Sequence, residues 1–598
     1  MDDNDSWRHF RRLNFDTKAM RRRMRRAETI TTRHANKFIL RRIDSIRESR
    51  REIITWLAIV GVMILGVILQ FGWFENTYTT PAAAEGGSFA EATLGPIETL
   101  NPLYVSSDAE LTASRLIFSS LFQYDTTGHL TGDLATSYSV SSDGKVYTVS
   151  LRPDAKWHDG YPVTANDVAF TINLIRNPNT RSSLATNWQN VTITAPSKTT
   201  VEFTLPAAYA AFPQALTFPI LPEHVLTGVA PADLRQNKFS SAPVGSGPFE
   251  YVSSQLASGG GSQNMVVRLV ANTSYYGGAP KLAHFDIHAF SDTGGILQAL
   301  QTGVVNAASG LTPDNLSKIP SKRYTSKIIP IDSGVYSLFN LQNPILKDQA
   351  VRLALREAID TNKLRQELPG NPPALTLPFV DGQLDNHSDL SVPPASTQKA
   401  ADDLTAAGWQ MVNGVRTKDG APLHLTITTT TNPLYQSAAK IIQHDWRAIG
   451  VTSDLNVIDT TQPNSPFVQN VLQPRNFDVL IYELIIGADP DVFAYWSSSQ
   501  TGINGYNFSN YSNPVADATL SSARSVTAQN IRQAKYHAFA AQWLGDVPAI
   551  GLYQGVTTYV EGHGIQTITP DMQFVSAVDR FANVLYWSSG SKTVYKTP

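Results

Sequence analysis

The sequence predicts an α/β protein of two or three lobes behind a single membrane-spanning helix, and three observations lead there. The chain has 598 residues, more than one compact core accommodates. Residues 423–428, 438–449 (stopped by Gly450) and 451–457 read as a strand, helix, strand unit, and residues 477–482 are a near-continuous apolar run of the kind buried in a parallel sheet. Residues 53–74 are 22 consecutive uncharged residues, which as a helix span roughly 33 Å and cross a bilayer.

The formal charge of −2 conceals a polarity. Residues 1–51 hold 16 of the 48 Lys and Arg, and residues 1–52 hold 8 of the 50 Asp and Glu, so the rest of the chain sets 32 bases against 42 acids. A mildly acidic body argues against nucleic acid as a partner. With no cysteine, disulfides, thiolate metal sites and thiol nucleophiles are excluded. The basic arm, residues 1–52, places the N-terminus in the cytoplasm, and Trp56, Trp73 and Phe74 lie where interfacial aromatics belong. A cleaved signal peptide competes, since Pro81, Ala82, Ala83 and Ala84 offer small residues. The length of the apolar run and of its basic leader favours an uncleaved anchor, with the body outside the cell. Arg21 to Arg23, Arg25 and Arg26 could contact anionic lipid or nucleic acid; the plainer reading is that they fix topology. Residues 75–90 lack periodicity and read as a linker.

In the body, Leu100, Asn101, Pro102, Leu103 and Tyr104 form a loop, followed by a helix over 109–121 and the segment LFQYD. Ser142, Asp143 and Gly144 signal a turn, after which Tyr147, Val149 and Leu151 alternate with polar residues as in a strand with one buried face, so a hairpin is expected. Thr164 with Asp167 three residues on is a helix start of capping-box type; Val168, Ile172 and Ile175 follow at helical spacing, and Asn177-Pro178 stops it. Taken together, DG.VYTVSLR...KWHDG.PVTANDV.F resembles the signature of the extracytoplasmic solute-binding proteins of family 5, the peptide, oligopeptide and nickel receptors of ABC importers. The resemblance implies a periplasmic-binding-protein-like class II fold, with two hinged lobes and an extra subdomain. Many members of that family are tethered by a lipidated cysteine, which this chain lacks.

The likeness continues along the chain. The 100–125 segment resembles the family's opening pattern, and Phe218 to Leu226 its return to the first lobe. Val244 to Phe249 matches the P.GTGP[FY] turn with Ser246 in place of Thr; without a following Lys, it reads as a tight turn instead of a phosphate loop. Gly259 to Gly261 centre a loose insertion, and His284, Asp286 and His288 share one strand face. Side chains two apart on a strand are about 6.6 Å apart, too far to clasp one ion unaided, so no metal site is expected. The pattern Y..FN...P...D..VR.A...AID, from Tyr336, resembles the hinge strand and its helix, placing Asn340 near the hinge; residues 547–552 resemble the second crossing. The expected organisation is a first lobe over 91–333 with a subdomain at about 125–215, a second lobe over 334–546, and a return over 547–598.

Ligands of open α/β sheets bind beyond the carboxyl ends of strands, which draws attention to the turn GADPDVFAYW after the 477–482 run. Asp489 and Asp491, with aromatic neighbours, could hold an ammonium and stack a side chain; a turn with a helix cap is the bland alternative. In the resembled peptide receptors an aspartate a few residues before the DP pairs with the peptide amine. Here Ile486 stands there, unless Asp489 takes the task. The resemblance further implies Tyr104, Ser106, Ser107 and Asp108 as cleft candidates, with an ordinary polar loop as the alternative, and Asn340 near the hinge; Tyr482, Glu483, Tyr495 and Trp496, at the strand end and its turn, complete the candidates.

No G-x-S-x-G, H-E-x-x-H or P-loop is present, and His158 reads as a structural turn residue, so neither catalytic residues nor a cofactor are expected. The expected function is capture of an extracellular solute, a peptide before a metal chelate or oligosaccharide, and delivery to ABC permease subunits. An extracellular hydrolase and a surface sensor or adhesin are the alternatives from other classes.

Overall fold

A computed structural model describes residues 50–257, 264–460, 465–569 and 571–595. The arginine-rich arm before residue 50 and the Gly259 to Gly261 insertion lie outside the described residues. Helix α1, Arg50–Tyr78, begins in the basic segment and runs through the apolar stretch. Its apolar side chains are laterally exposed, Trp56 at 70%, as a helix meeting lipid requires. Beyond it, Thr79–Ala83 pairs with Ser591–Tyr595 in a two-stranded sheet. Part of the expected linker is therefore helix and strand: backbone pairing needs no apolar period, so composition did not mark it.

Residues 83–591 form a second unit. The strands of its two larger sheets, in chain order, are β1 Ser88–Leu94, β2 Ala135–Val140, β3 Val146–Leu151, β4 Thr192–Ser197, β5 Thr200–Thr204, β6 Phe249–Ala257, β7 Asn264–Ala271, β8 His284–Phe290, β9 Ala307–Ser309, β10 Tyr324–Phe339, β11 His424–Thr430, β12 Thr452–Ile458, β13 Val479–Ile485 and β14 Ala549–Gly562. Ten of them make one sheet in the order β12-β11-β13-β10-β14-β9-β1-β8-β7-β6; four make a subdomain sheet, β2-β3-β5-β4.

β10 and β14 are long because each serves both lobes. Residues 324–330 of β10 pair with 556–562 of β14 beside β9, in lobe I. Residues 334–338 pair with 549–554 beside β13, in lobe II. Between Pro330 and Gly334 the register slips; proline has no N–H to give the ladder, which favours the break there. The crossing thus lies near 330–334 and 554–556, closer to lobe I than residues 336–340 and 547–552. Tyr336 and Phe339 are fully buried inside lobe II. The crossing coincides with Asp332-Ser333-Gly334, which interrupts the apolar run, and not with the Tyr336 to Asn340 motif.

Local chemistry explains the smaller parts. In the β2/β3 hairpin Gly144 adopts φ 71°, and Asp143 Oδ1 accepts from Lys145 N at 3.2 Å. Tyr147, Val149 and Leu151 are its buried face. Thr164 N donates to Asp167 Oδ2 at 2.7 Å, closing the capping box of α2, Ala165–Arg176. Gly245 and Gly247 lie so close to the Ile117 backbone that a Cβ would collide with it. His158 staples that turn: Gly245 N donates to Nδ1 at 3.2 Å, so Nε2 carries the proton it gives Gly247 O at 3.1 Å. In lobe I, Phe89 packs on Phe285 and Trp587, and the buried pair Arg580–Glu91 (2.6 Å) is completed by the Tyr559 hydroxyl at 3.0 Å. In lobe II the sheet is covered on one face by α3, Pro433–Ala448, with Trp446 against Phe339. The other face is covered around Trp496 and Trp543, both against Tyr336. β13 runs parallel to β11 but antiparallel to β10.

Candidate functional site

The carboxyl end of β13 faces lobe I, because its antiparallel partner β10 passes there into the crossing (Ser333 opposite Ile485). Between the lobes lies a cavity of about 750 Å³. Gly128, His129 and Phe574 line it from lobe I, Leu377, Gln383 and Ala488 from lobe II, and Asp332 and Gln554 at the crossing. A volume of this order suits a short peptide or drug-sized ligand. Gln383 Nε2 donates to Gly487 O at 2.5 Å, tying the proline-rich loop of lobe II to the turn after β13.

That turn carries Asp489 and Asp491, and two helices bring arginines to it: α4, Pro514–Ser525, and α5, Gln529–Asp546. Arg532 grips Asp489 with Nη1 to Oδ2 at 2.9 Å and Nη2 to Oδ1 at 2.7 Å. Arg524 Nε donates to Asp491 Oδ2 at 2.9 Å. Desolvation pulls Arg532 down, yet the hydrogen bonds and charge of Asp489 outweigh it and hold the guanidinium above its ordinary value. Burial raises Asp491, opposed by Arg524. Neither carboxylate is left open for an ammonium, in contrast to the expectation. The arginines lie 33 and 43 residues away in sequence, a pairing that only the fold reveals.

Across the gap, Tyr209 of lobe I reaches the same turn. Its ring lies under Arg524 at 4.7 Å, and the next residue, Ala210, donates its N–H to Arg524 O at 2.7 Å. The lobes therefore touch here, and the cavity lies between this contact and the crossing.

Asp332 stands apart from the other acids. Its backbone is fixed, N to Val575 O at 3.1 Å and O accepting from Ile486 N and Gly487 N, both at 2.9 Å. Its carboxylate borders the cavity with no hydrogen-bonding or ionic partner among the described residues. Burial first, then the charge of Asp579, raises its carboxyl to about 7. Sequence reasoning missed it: it sits in an alternating strand, where the only cue is the Asp-Ser-Gly interruption of an apolar run.

The remaining candidates divide. Ser107 caps the helix Asp108–Ile117, its Oγ accepting from Glu110 N at 3.2 Å and donating to Pro96 O at 2.6 Å; Ser106 gives its N–H and hydroxyl to Glu110. Both are spent on their own loop. Tyr104 is buried, with Arg235 over its ring at 5.4 Å, while Asp108 is exposed. Ile486 and Trp496 belong to the lobe II core, because the turn doubles back onto Tyr336. Tyr495 donates to Ile485 O at 2.5 Å, and Tyr482 packs on Phe467 and Phe508. Glu483 accepts from Ser333 and from Tyr435 at 2.7 Å. Asn340 is far from the crossing: at the opposite end of β10 it donates to Arg475 O and Phe477 O at 3.1 and 3.0 Å. His284, Asp286 and His288 do share one face of β8, and among the described residues no group of three could hold a metal.

A family model described as bacterial extracellular solute-binding proteins, family 5, middle part, matches residues 129–505. The chain is 26% identical over 483 residues to the oligopeptide-binding protein AppA of Bacillus subtilis, covering 78% of this chain and 86% of AppA. The structure of AppA with a nonapeptide superposes with a TM-score of 0.67 at 24% identity, over 85% of this chain and 99% of that one. A Brucella ovis protein whose name assigns it to peptide binding by an ABC transporter is 30% identical over 430 residues, 69% of this chain and 76% of the relative. NikZ of Campylobacter jejuni, solved with Ni(L-His), gives a TM-score of 0.68 at 27% identity, over 84% of this chain and 99% of NikZ.

Proposed function

The chain belongs to the bacterial extracellular solute-binding proteins of family 5, and from that premise we propose that it captures a peptide between its lobes and delivers it to an ABC permease. The observation that carries this reading is the pair of strands β10 and β14, which run unbroken from one lobe into the other and slip register at the floor of the cavity. Two adjacent strands with a local irregularity make a hinge that bends without tearing either core. A ligand touching both walls binds the closed arrangement better than the open one, and that difference alone can drive closure. Relatives named for oligopeptide binding support peptide as the solute.

Helix α1 serves as the anchor, with the basic arm in the cytoplasm and the lobes outside. Since the chain has no cysteine, single cysteines placed on either side of residues 53–74 report orientation without background. Labelling by a membrane-impermeant maleimide on intact cells is expected only on the C-terminal side.

The test of the function is native mass spectrometry of the full chain in detergent, with ligand released by denaturation. Co-purified peptides support the reading; steady cleavage of added peptides points to a hydrolase instead. The likeness to NikZ favours a second reading, a small metal chelate, which the same spectra register as bound metal.

A further inference from the structure

The inter-lobe cavity is one-sided in charge. Asp332 and Asp381 line it, together with His129 and His387, and among its described lining residues there is neither lysine nor arginine. Both imidazoles are engaged locally, His129 Nδ1 with Thr127 Oγ1 and His387 Nδ1 with Leu384 O, each at 2.8 Å. Of the acids at the cleft, Asp489 and Asp491 are held by arginines, and Asp579 accepts from Ser576 N and Oγ at 2.7 and 2.9 Å. Asp381 accepts from Gly382 N at 3.1 Å; Asp332 alone among these five lacks a partner among the described residues, and three hydrogen bonds tie its backbone on the hinge strand. An unpaired carboxylate on the wall of a cavity is prepared for a cation, and the hydrogen bonds of its backbone reduce the ordering cost of binding.

We propose that Asp332 receives the cationic group of the solute, so that the cavity selects ligands presenting an ammonium to the hinge and no carboxylate beside it. This rests on the capture function proposed above and deepens it. A peptide bound this way points its N-terminus at the crossing, and its C-terminus finds no cationic side chain within the cavity. Asp489, the acid nearest the family's amine-binding position, is not free for the task, since Arg532 occupies both its oxygens.

The electrostatics agree. The charge of Asp579 acts on Asp332, and both, with that of Asp489, act on the Tyr124 hydroxyl; Asp381, His129 and His387 complete the titratable lining. Asp332 binds a proton up to about pH 7 when the cavity is empty. An ammonium must displace that proton, so affinity rises with pH across neutrality.

The test uses the full chain in detergent, as wild type and Asp332→Asn. Each is offered a library of tri- to pentapeptides in free-amine and N-acetylated forms, and separately spermidine. Retained species are quantified by mass spectrometry, with calorimetry at about pH 6 and about pH 8 on either side of the Asp332 transition. The proposal expects wild type to prefer free amines by at least about tenfold, more so at the higher pH, and Asp332→Asn to lose the preference. Equal retention of acetylated and free peptides overturns it while leaving the capture function standing. Spermidine binding that depends on Asp332, without any peptide retained, upholds the cation site and overturns the peptide reading; no binding of either kind overturns both. The acetylation comparison on wild type needs no variant to fold.

Discussion

Arg532 closes on Asp489 through two hydrogen bonds, 2.9 and 2.7 Å long, with side-chain exposures of only 8% and 14%. This pair converts the acid that sequence logic offers to a ligand into part of the lobe II framework, bracing the turn after β13 against α5. A buried pair deprived of one partner leaves an uncompensated charge. Asp489→Ala is therefore expected to lower unfolding stability by about 3 kcal/mol, measured by urea denaturation. Asp489→Leu combined with Arg532→Met should recover most of the loss.

Asp332 behaves in the opposite sense. Its folded value, about 7, exceeds an unfolded value of about 3.9, so the folded state binds more protons between the two. The stability this proton contributes is complete below about pH 4 and gone above about pH 7, up to about 4 kcal/mol. Asp332→Asn should abolish that part of the pH dependence and stabilise the ligand-free protein above neutrality, read as melting temperature against pH.

His158 supplies a contribution of reverse sign. Burial lowers it to about 4 from an ordinary value of about 6.5. Its stability is present above pH 6.5 and lost progressively as pH falls through 4. His158→Ala should flatten the acid limb and, by stranding the Gly245 N–H, cost about 1–3 kcal/mol at neutral pH.

The contact of Tyr209 with Arg524 joins the lobes outside the cavity. A partly desolvated cation over an aromatic ring is worth on the order of 1–2 kcal/mol. Tyr209→Ala should shift the ligand-free population towards open forms and weaken solute affinity about five- to twentyfold, visible as a larger radius of gyration in small-angle scattering.

These particulars also show what a one-dimensional reading captures. Period-2 and period-3.6 patterns found the β2/β3 hairpin, α2 and the β11, α3, β12 unit, because each buries a face against near neighbours in sequence. The capping residue Thr164 and the glycines against Ile117 were legible for the same reason: their chemistry is local. The crossing was displaced towards residues 336–340, since the motif that resembles the hinge begins at Tyr336, beyond the Asp332-Ser333-Gly334 interruption where the register slips. The segment after β10 forms two helices, Gln349–Glu357 and Thr361–Glu367, because Asp360 supplies a new cap between them. The site was the least legible. Arg524 and Arg532 neutralise acids 33 and 43 residues away, and the open acid, Asp332, shares a strand with core residues and carries no motif.

The central claim is that two lobes close about β10 and β14 on a solute held between them. Its most direct test is the spin–spin distance between cysteines introduced at the exposed positions Lys198 of lobe I and Asn530 of lobe II, in a chain otherwise free of cysteine. Pulsed-dipolar measurements with and without the co-purified peptides should show a broad, longer distribution collapsing to a single shorter distance when peptide is bound. An unchanged distribution under saturating peptide would contradict the account.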